Sequence, residues 1–221
     1  MANQERKLVN LGCGQVRPEG WLNYDSSLNS LLQSLPRIGK LASVVLPSVK
    51  YEKVARYLDL RGRWPFEDGS VDVIYASHVF EHLSRKVAQR FIRKSFDKLK
   101  RGGVIRIVVP DLAALAQVYI TNLSAGKMEA TEEFLYAINL HKENTYKNET
   151  LLGWLIHSWQ GYPHQHKYMY DAITLGRVLR EGGFVGIQTS CYGISTYIKN
   201  IRDVECTDEG VVSLYLEAVK P

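Results

Sequence analysis

The sequence predicts an open α/β fold, a mostly parallel sheet with right-handed crossovers that closes on a pair of antiparallel strands. Two observations predict it. Short apolar runs alternate with segments of helical period over most of the chain, and the last two runs, Phe184 to Thr189 and Val211 to Val219, read as a terminal hairpin.

The elements follow in order. Lys7 to Leu11 is a short apolar run stopped by Gly12-Cys13-Gly14, which reads as a buried strand ending in a tight loop. Trp21 to Asp25 is a second strand. Residues 26–53 carry two breakers, Pro36 and Pro47, and are expected to form helical turns and loop. Ala55 to Leu60 is a third strand, and Val71 to Ala76 a fourth, introduced by the turn Glu67-Asp68-Gly69-Ser70. An amphipathic helix follows, with Val87, Ala88, Phe91, Ile92, Ser95, Phe96 and Leu99 on its apolar face, and it is expected to stop at Arg101-Gly102-Gly103. Val104 to Val109 is a fifth, β-branched strand. Asp111 is placed to cap a helix through Leu112, Leu115, Val118 and Tyr119. A further helix is predicted over about 131–141, and Asp171 caps another over Ala172 to Arg180, which ends at Gly182-Gly183.

Composition narrows the function classes. With 221 residues, 45% hydrophobic and 23% charged, the chain has the balance of one globular domain rather than a fibre, coiled coil or disordered tail. The longest apolar candidate, Ile38 to Val49, is short and interrupted by Lys40, Ser43, Pro47 and Ser48, so no membrane span is expected. The N-terminal residues show no apolar signal core, and a cytoplasmic location is expected. Cys13, Cys191 and Cys206 are too few and too scattered for a disulfide framework or a structural zinc clamp, and no metal is expected. The net charge of +5 concentrates in Arg85 to Arg101, eight basic residues against Asp97, on the outer face of the predicted helix. No aromatics alternate with these basic residues, so a solvated helix face is expected there and no nucleic-acid partner.

In an open α/β sheet, ligands sit beyond the carboxyl ends of the strands. Gly12 and Gly14 let the backbone come close to a ligand there. The loop lacks the third glycine of the dinucleotide fingerprint, and the next strand-end acid, Asp25, comes too early for it, which disfavours NAD. Val9-Asn10-Leu11-Gly12-Cys13-Gly14, followed by Gly20-Trp21-Leu22-Asn23-Tyr24-Asp25, resembles the class I S-adenosylmethionine-dependent methyltransferases. Asp59-Leu60, the stretch Trp64 to Ile74, His78-Val79-Phe80-Glu81-His82-Leu83, Leu99 to Gly103 and Pro110-Asp111 continue the resemblance in order, strongly over about residues 8–112. The subgroup it looks most like acts in bacterial surface-polysaccharide and sugar metabolism.

The resemblance implies a Rossmann-like, seven-stranded sheet with helices on both faces and a terminal antiparallel strand. It implies one domain over 1–221, with an acceptor-side insert or lid at about 112–170. The implied cofactor is S-adenosylmethionine, held by Asn10, Gly12, Cys13, Gly14, Asp25, Asp59, Leu60, Ser77 and His78. Asp25 would accept both ribose hydroxyls, and Asp59 the adenine amino group beside the Leu60 amide; as alternatives, Asp25 caps a turn and Asp59 is a turn residue. Asp72, at the start of its strand, falls on the edge away from ligand. The implied activity is methyl transfer to a small-molecule or saccharide acceptor, at oxygen. A hydroxyl acceptor needs a base, for which His78, Asp111, His164 and His166 are the candidates. A non-catalytic adenosyl-binding protein of the same fold is the alternative.

Two patterns need separate weighing. His78-x-x-Glu81-His82 fits the inverted zinc-protease motif, but that motif needs a further ligand and a helix beginning before the first histidine, whereas His78 directly follows a strand. Zinc hydrolysis is therefore disfavoured, and Glu81 and His82 are expected to fix the first helical turn beside the cofactor. Residues 153–171 hold five Trp or Tyr side chains and three histidines, and read either as a substrate lid or as an aromatic mini-core.

Overall fold

The computed structural model describes residues 6–26, 30, 55–140, 166–205 and 212–221. Its strands are β1 (Leu8–Leu11), β2 (Trp21–Asp25), β3 (Arg56–Tyr57), β4 (Val71–Ser77), β5 (Leu99–Pro110), β6 (Val185–Ser190) and β7 (Ser213–Val219). They form one seven-stranded sheet in the order β3-β2-β1-β4-β5-β7-β6. Pairing is parallel from β3 through β5; β7 runs antiparallel to both β5 and β6. The expected terminal hairpin is present, and its second strand lies inside the sheet, with β6 at the edge. The described helices are α1 (Arg85–Lys98), α2 (Leu112–Ser124), α3 (Ala130–Ala137) and α4 (Ala172–Glu181), with short 3-10 turns at Phe80–His82 and Ile201–Asp203. None is long and apolar enough to cross a membrane.

Alternation of side chains along the strands makes two cores. Ile105, Ile107 and Val109 of β5 and Leu214, Leu216 and Ala218 of β7 share one face with Phe91 and Ile92 of α1 and Leu175 and Leu179 of α4. Val104 and Val108 share the other face with Val73, Tyr75, Ile198, Ile201 and Val204. This is the period of two that a pleated strand imposes. In β4 the period slips: Val71 and Ile74 both face the first core, because the register with β5 shifts between Val71 and Val73.

Two expected boundaries are corrected. The helix does not run to the glycines: α1 ends at Lys98, and β5 begins at Leu99, which pairs with Val71. Gly102 and Gly103 lie in the strand, where Gly102 has φ 73 and its N–H donates to the Lys220 carbonyl at 2.8 Å. The third strand is only Arg56–Tyr57; the Leu58 amide still donates to the Asp25 carbonyl at 3.0 Å, and the chain turns beyond it. Both predicted caps hold. Asp111 accepts from the Ala113 and Ala114 amides, and Asp171 forms a reciprocal capping box with Thr174.

The second face buries a charge network. Arg106 of β5 reaches Glu205 at 2.6 Å and Glu217 of β7 at 2.8 Å, and all three side chains are fully buried. Its guanidinium also donates to the Ile194 and Cys191 carbonyls, so its N–H groups are satisfied. Burial pushes the Glu205 carboxyl up, and the neighbouring Gly193 amide and Arg106 offset this only in part.

Candidate functional site

The carboxyl ends of β1, β2, β4 and β5 bring Gly12, Asp25, Ser77 and Asp111 to one edge of the sheet. The chain leaves β1 toward β2 and β3 on one side and returns to β4 on the other, so the edge lies at a topological switch point. Gly12 and Gly14 both take positive φ, 71 and 50. Their reasons differ. A Cβ on Gly12 would stand 2.0 Å from Val79 Cγ2, whereas nothing lies within 4 Å of one on Gly14. The close approach at Gly12 is therefore to the protein's own chain, and the open backbone is at Gly14.

The Gly12 and Cys13 amides both donate to the Tyr24 carbonyl, and the Gly14 amide donates to Asp25 Oδ2 at 2.9 Å. The loop after β1 is thus tied to the end of β2, and the Asp25 carboxylate is held at its mouth. Asn10 is buried, with its amide donating to the Val16 carbonyl and Asn23 Oδ1. It braces the loop from beneath. The buried Cys13 thiol is pushed up to about 11, first by burial and then by the Asp25 charge, so it stays protonated at neutral pH.

Asp59 is gripped by Arg61, whose Nε and Nη2 donate to both carboxylate oxygens at 3.0–3.2 Å. Burial pushes the Asp59 carboxyl up, but the Arg61 hydrogen bonds and charge outweigh it and hold it below the usual range. The buried Leu60 gives its carbonyl to the Trp64 indole N–H and to Lys94 Nζ. Lys94, from α1, also reaches the carbonyls of Arg61 and Gly62. This lysine was read only as part of a solvated face, and nothing local in the sequence marks it as the anchor of that loop.

At the end of β4, Ser77 closes the strand and His78 takes a left-handed backbone, φ 51, which costs a non-glycine residue about 1–3 kcal/mol. Its N–H donates to the Val108 carbonyl at 2.9 Å. Its ring is one-third exposed, with Nδ1 3.3 Å from Glu81 Oε1 and Nε2 3.1 Å from the Ser213 hydroxyl. Glu81 lies in the 3-10 turn and is buried, with His82 Nε2 at 3.9 Å and His166 Nε2 at 4.0 Å from the same oxygen. Burial pushes the His166 imidazole down, with the Glu81 charge opposing. The backbone fixes this meeting, since the Lys167 and Tyr168 amides both donate to the Glu81 carbonyl.

The structure therefore joins His78 and His166 through Glu81, and engages Asp111 as a helix cap. His164 lies outside the described residues, as do residues 153–165 of the aromatic segment. In the described remainder, Tyr170 is buried 5.1 Å from Phe80, and Tyr168 meets Tyr170 edge to face at 4.8 Å. The inverted zinc-protease arrangement is absent, because the turn begins after His78. Asp72 sits at the opposite edge, bound by Lys100 Nζ and the Lys7 amide, as expected of a structural residue.

This sheet order, with a glycine loop after the first strand and a carboxylate closing the second, is that of a Rossmann-like fold. Residues 9–107, from β1 through most of β5, match the family model described as a methyltransferase domain. Over that stretch the chain is similar to the methyltransferase domain, a family whose cofactor is S-adenosylmethionine. The open backbone at Gly14 and the Asp25 carboxylate beside it suit that group. No curated protein matches the chain.

Solved structures similar to it include an S-adenosylmethionine-dependent methyltransferase from Thermotoga maritima, at 13% identity, covering 97% of this chain and 82% of that one, with TM-score 0.46. The CurJ carbon methyltransferase is similar at 13% identity, 98% and 49% coverage and TM-score 0.45. The Haemonchus contortus phosphoethanolamine N-methyltransferase 2 is similar at 14%, 98%, 49% and 0.47. The chain spans about half the length of the latter two.

Proposed function

We propose that this methyltransferase acts on a hydroxyl oxygen of a small-molecule or saccharide acceptor, of the kind used in surface-polysaccharide biosynthesis, with His78 as the base. The observation that carries the reading is the His78–Glu81 pair at 3.3 Å at the end of β4. S-adenosylmethionine supplies a methyl carbon already bonded to a sulfonium leaving group. The protein's part is to align the acceptor, exclude water and take one proton. With its Nδ1 beside the Glu81 carboxylate, His78 offers Nε2, now met by the Ser213 hydroxyl at 3.1 Å, as the nitrogen that an acceptor hydroxyl would take up in its place. The acceptor oxygen gains the methyl carbon as its proton passes to Nε2.

On the cofactor side, Asp25 takes the ribose hydroxyls and the Gly12–Gly14 loop passes beside the nucleoside. Asn10 and Cys13 support that loop. Asp59, Leu60 and Ser77 complete the wall, with Asp59 shared between Arg61 and the adenine side. The whole is read as one domain over 1–221, with the insert at about 112–170 facing the acceptor. In its described part, Tyr119 of α2 stacks 5.0 Å from Phe134 of α3. A cytoplasmic location goes with this reading, and cell fractionation tests it.

Methyl transfer from labelled cofactor to a panel of sugars, amines and carbon acids is the decisive assay. Sugar hydroxyls are expected to accept, and His78→Gln to lower kcat by about 10²–10⁴-fold. Asp25→Ala is expected to weaken cofactor binding by about 10–150-fold, the equivalent of one lost charge-assisted hydrogen bond. Turnover of amines or carbon acids alone overturns the oxygen reading. Tight cofactor binding with no acceptor turned over points to the non-catalytic binding protein instead.

A further inference from the structure

Glu81 is 1% exposed, and neither of its carboxylate oxygens has a hydrogen-bond partner. Among the described residues its ion-pair neighbours are all histidines, with no lysine or arginine near enough to neutralise it. An ionised carboxylate so placed costs several kcal/mol unless a cation meets it. One ligand atom each from Glu81, His82 and His166 lie within 4.8 Å of one another. Their separations from Glu81 Oε1, 3.9 Å to His82 Nε2 and 4.0 Å to His166 Nε2, approach the edge of a metal polyhedron. A tetrahedral cation with bonds of about 2.0–2.1 Å holds its ligand atoms about 3.3–3.4 Å apart, so the two Glu81 separations must close by about 0.5–0.7 Å, and the widest in the set, within 4.8 Å, by up to about 1.5 Å.

The scaffold for this contraction exists. The two backbone hydrogen bonds from Lys167 and Tyr168 to the Glu81 carbonyl fix the strand of chain bearing His166 against the turn bearing Glu81 and His82. His166 itself is nearly buried. Two imidazoles and one carboxylate are the donor set of borderline-soft first-row cations.

We infer that Glu81, His82 and His166 form a three-ligand site for a divalent first-row cation, with Zn²⁺ the best match. This departs from the expectation that the protein holds no metal, and it differs from the zinc-protease motif, since His166 and not His78 completes the set. It does not rest on the oxygen-acceptor reading.

The test uses the untagged full chain, stripped with a chelator and dialysed against Zn²⁺, with Co²⁺ as the optical probe. Metal analysis is expected to find about one Zn²⁺ per chain, with a rise in Tm on loading. Co²⁺ is expected to give the intense visible bands of four- or five-coordination rather than the weak bands of the hexaaquo ion. His82→Ala, His166→Ala and Glu81→Gln should each lower affinity at least ~10-fold. Circular dichroism and S-adenosylmethionine binding are read on every variant, so a misfolded variant is recognised and the wild-type Co²⁺ spectrum then decides. No stoichiometric Zn²⁺ in the wild type, a hexaaquo-like Co²⁺ spectrum, or folded variants that keep wild-type affinity each overturn the site. A wild type that binds metal but not S-adenosylmethionine would count against the methyltransferase reading alone.

Discussion

Gly12 and Gly14 look equivalent in the sequence and are not. In the sequence both let the backbone come close to a ligand; in the structure a side chain on Gly12 would strike Val79 at 2.0 Å. Both substitutions to alanine carry the left-handed backbone penalty of about 1–2 kcal/mol. Gly12→Ala adds the steric clash and should lower Tm well beyond Gly14→Ala. Adding Val79→Ala should recover part of the Gly12→Ala loss but none of the Gly14→Ala loss, a non-additivity that calorimetry reads directly. Equal melting of the two single variants would show that the Val79 contact does not govern the loop. The place of Asp25 at the end of β2 was legible because the apolar run of that strand stops at it. Lys94 was not, because its partners, the carbonyls of residues 60–62, lie some thirty positions away and carry no side-chain signature.

At the scale of elements, periodicity served where tertiary contacts agreed with it. α1 was read from its apolar face, and its buried positions Ala88, Phe91, Ile92 and Ser95 are those expected. Its end was misread, since the glycine signal was outweighed by sheet pairing of Leu99 with Val71. β3 shrank to two residues for the converse reason: Asp59 is drawn into a turn by Arg61 and Lys94. Asp72 ties three elements together, joining the Lys7 amide ahead of β1 to Lys100 of β5. Burial raises its carboxyl, but the Lys100 and Lys7 hydrogen bonds prevail and its pKa lies below 3.8. A depressed carboxyl stabilises the fold above its unfolded pKa, and that contribution fades as pH falls through the folded value. Asp72→Asn should therefore cost about 1 kcal/mol at pH 7, or about 2–4 °C in Tm. The deficit should shrink as pH falls through the folded value; a deficit of unchanged size in acid would mean the loss is not ionic.

Across the whole molecule, the two faces of the sheet are held by different physics, one by apolar packing and the other partly by Arg106, Glu205 and Glu217. Arg106→Met leaves two buried carboxylates facing each other, a break expected to cost about 3–5 kcal/mol. Glu205 is already raised by burial, and a raised carboxyl loses its contribution as pH climbs through the folded pKa. Denaturant unfolding should thus show a larger loss for Arg106→Met at pH 8 than at pH 5. A pH-independent loss would assign the cost to packing. The same arginine has a second consequence, for how the last strand finds its place. β7 must enter between β5 and β6, and Glu217 pairs with Arg106 while Leu216 and Ala218 face the apolar core. A slip of one residue would turn Glu217 into that core and set Leu216 or Ala218 against a buried guanidinium. Either error forfeits the ion pair and buries an unmatched charge on each side at once, so Arg106 proofreads the register of the closing strand.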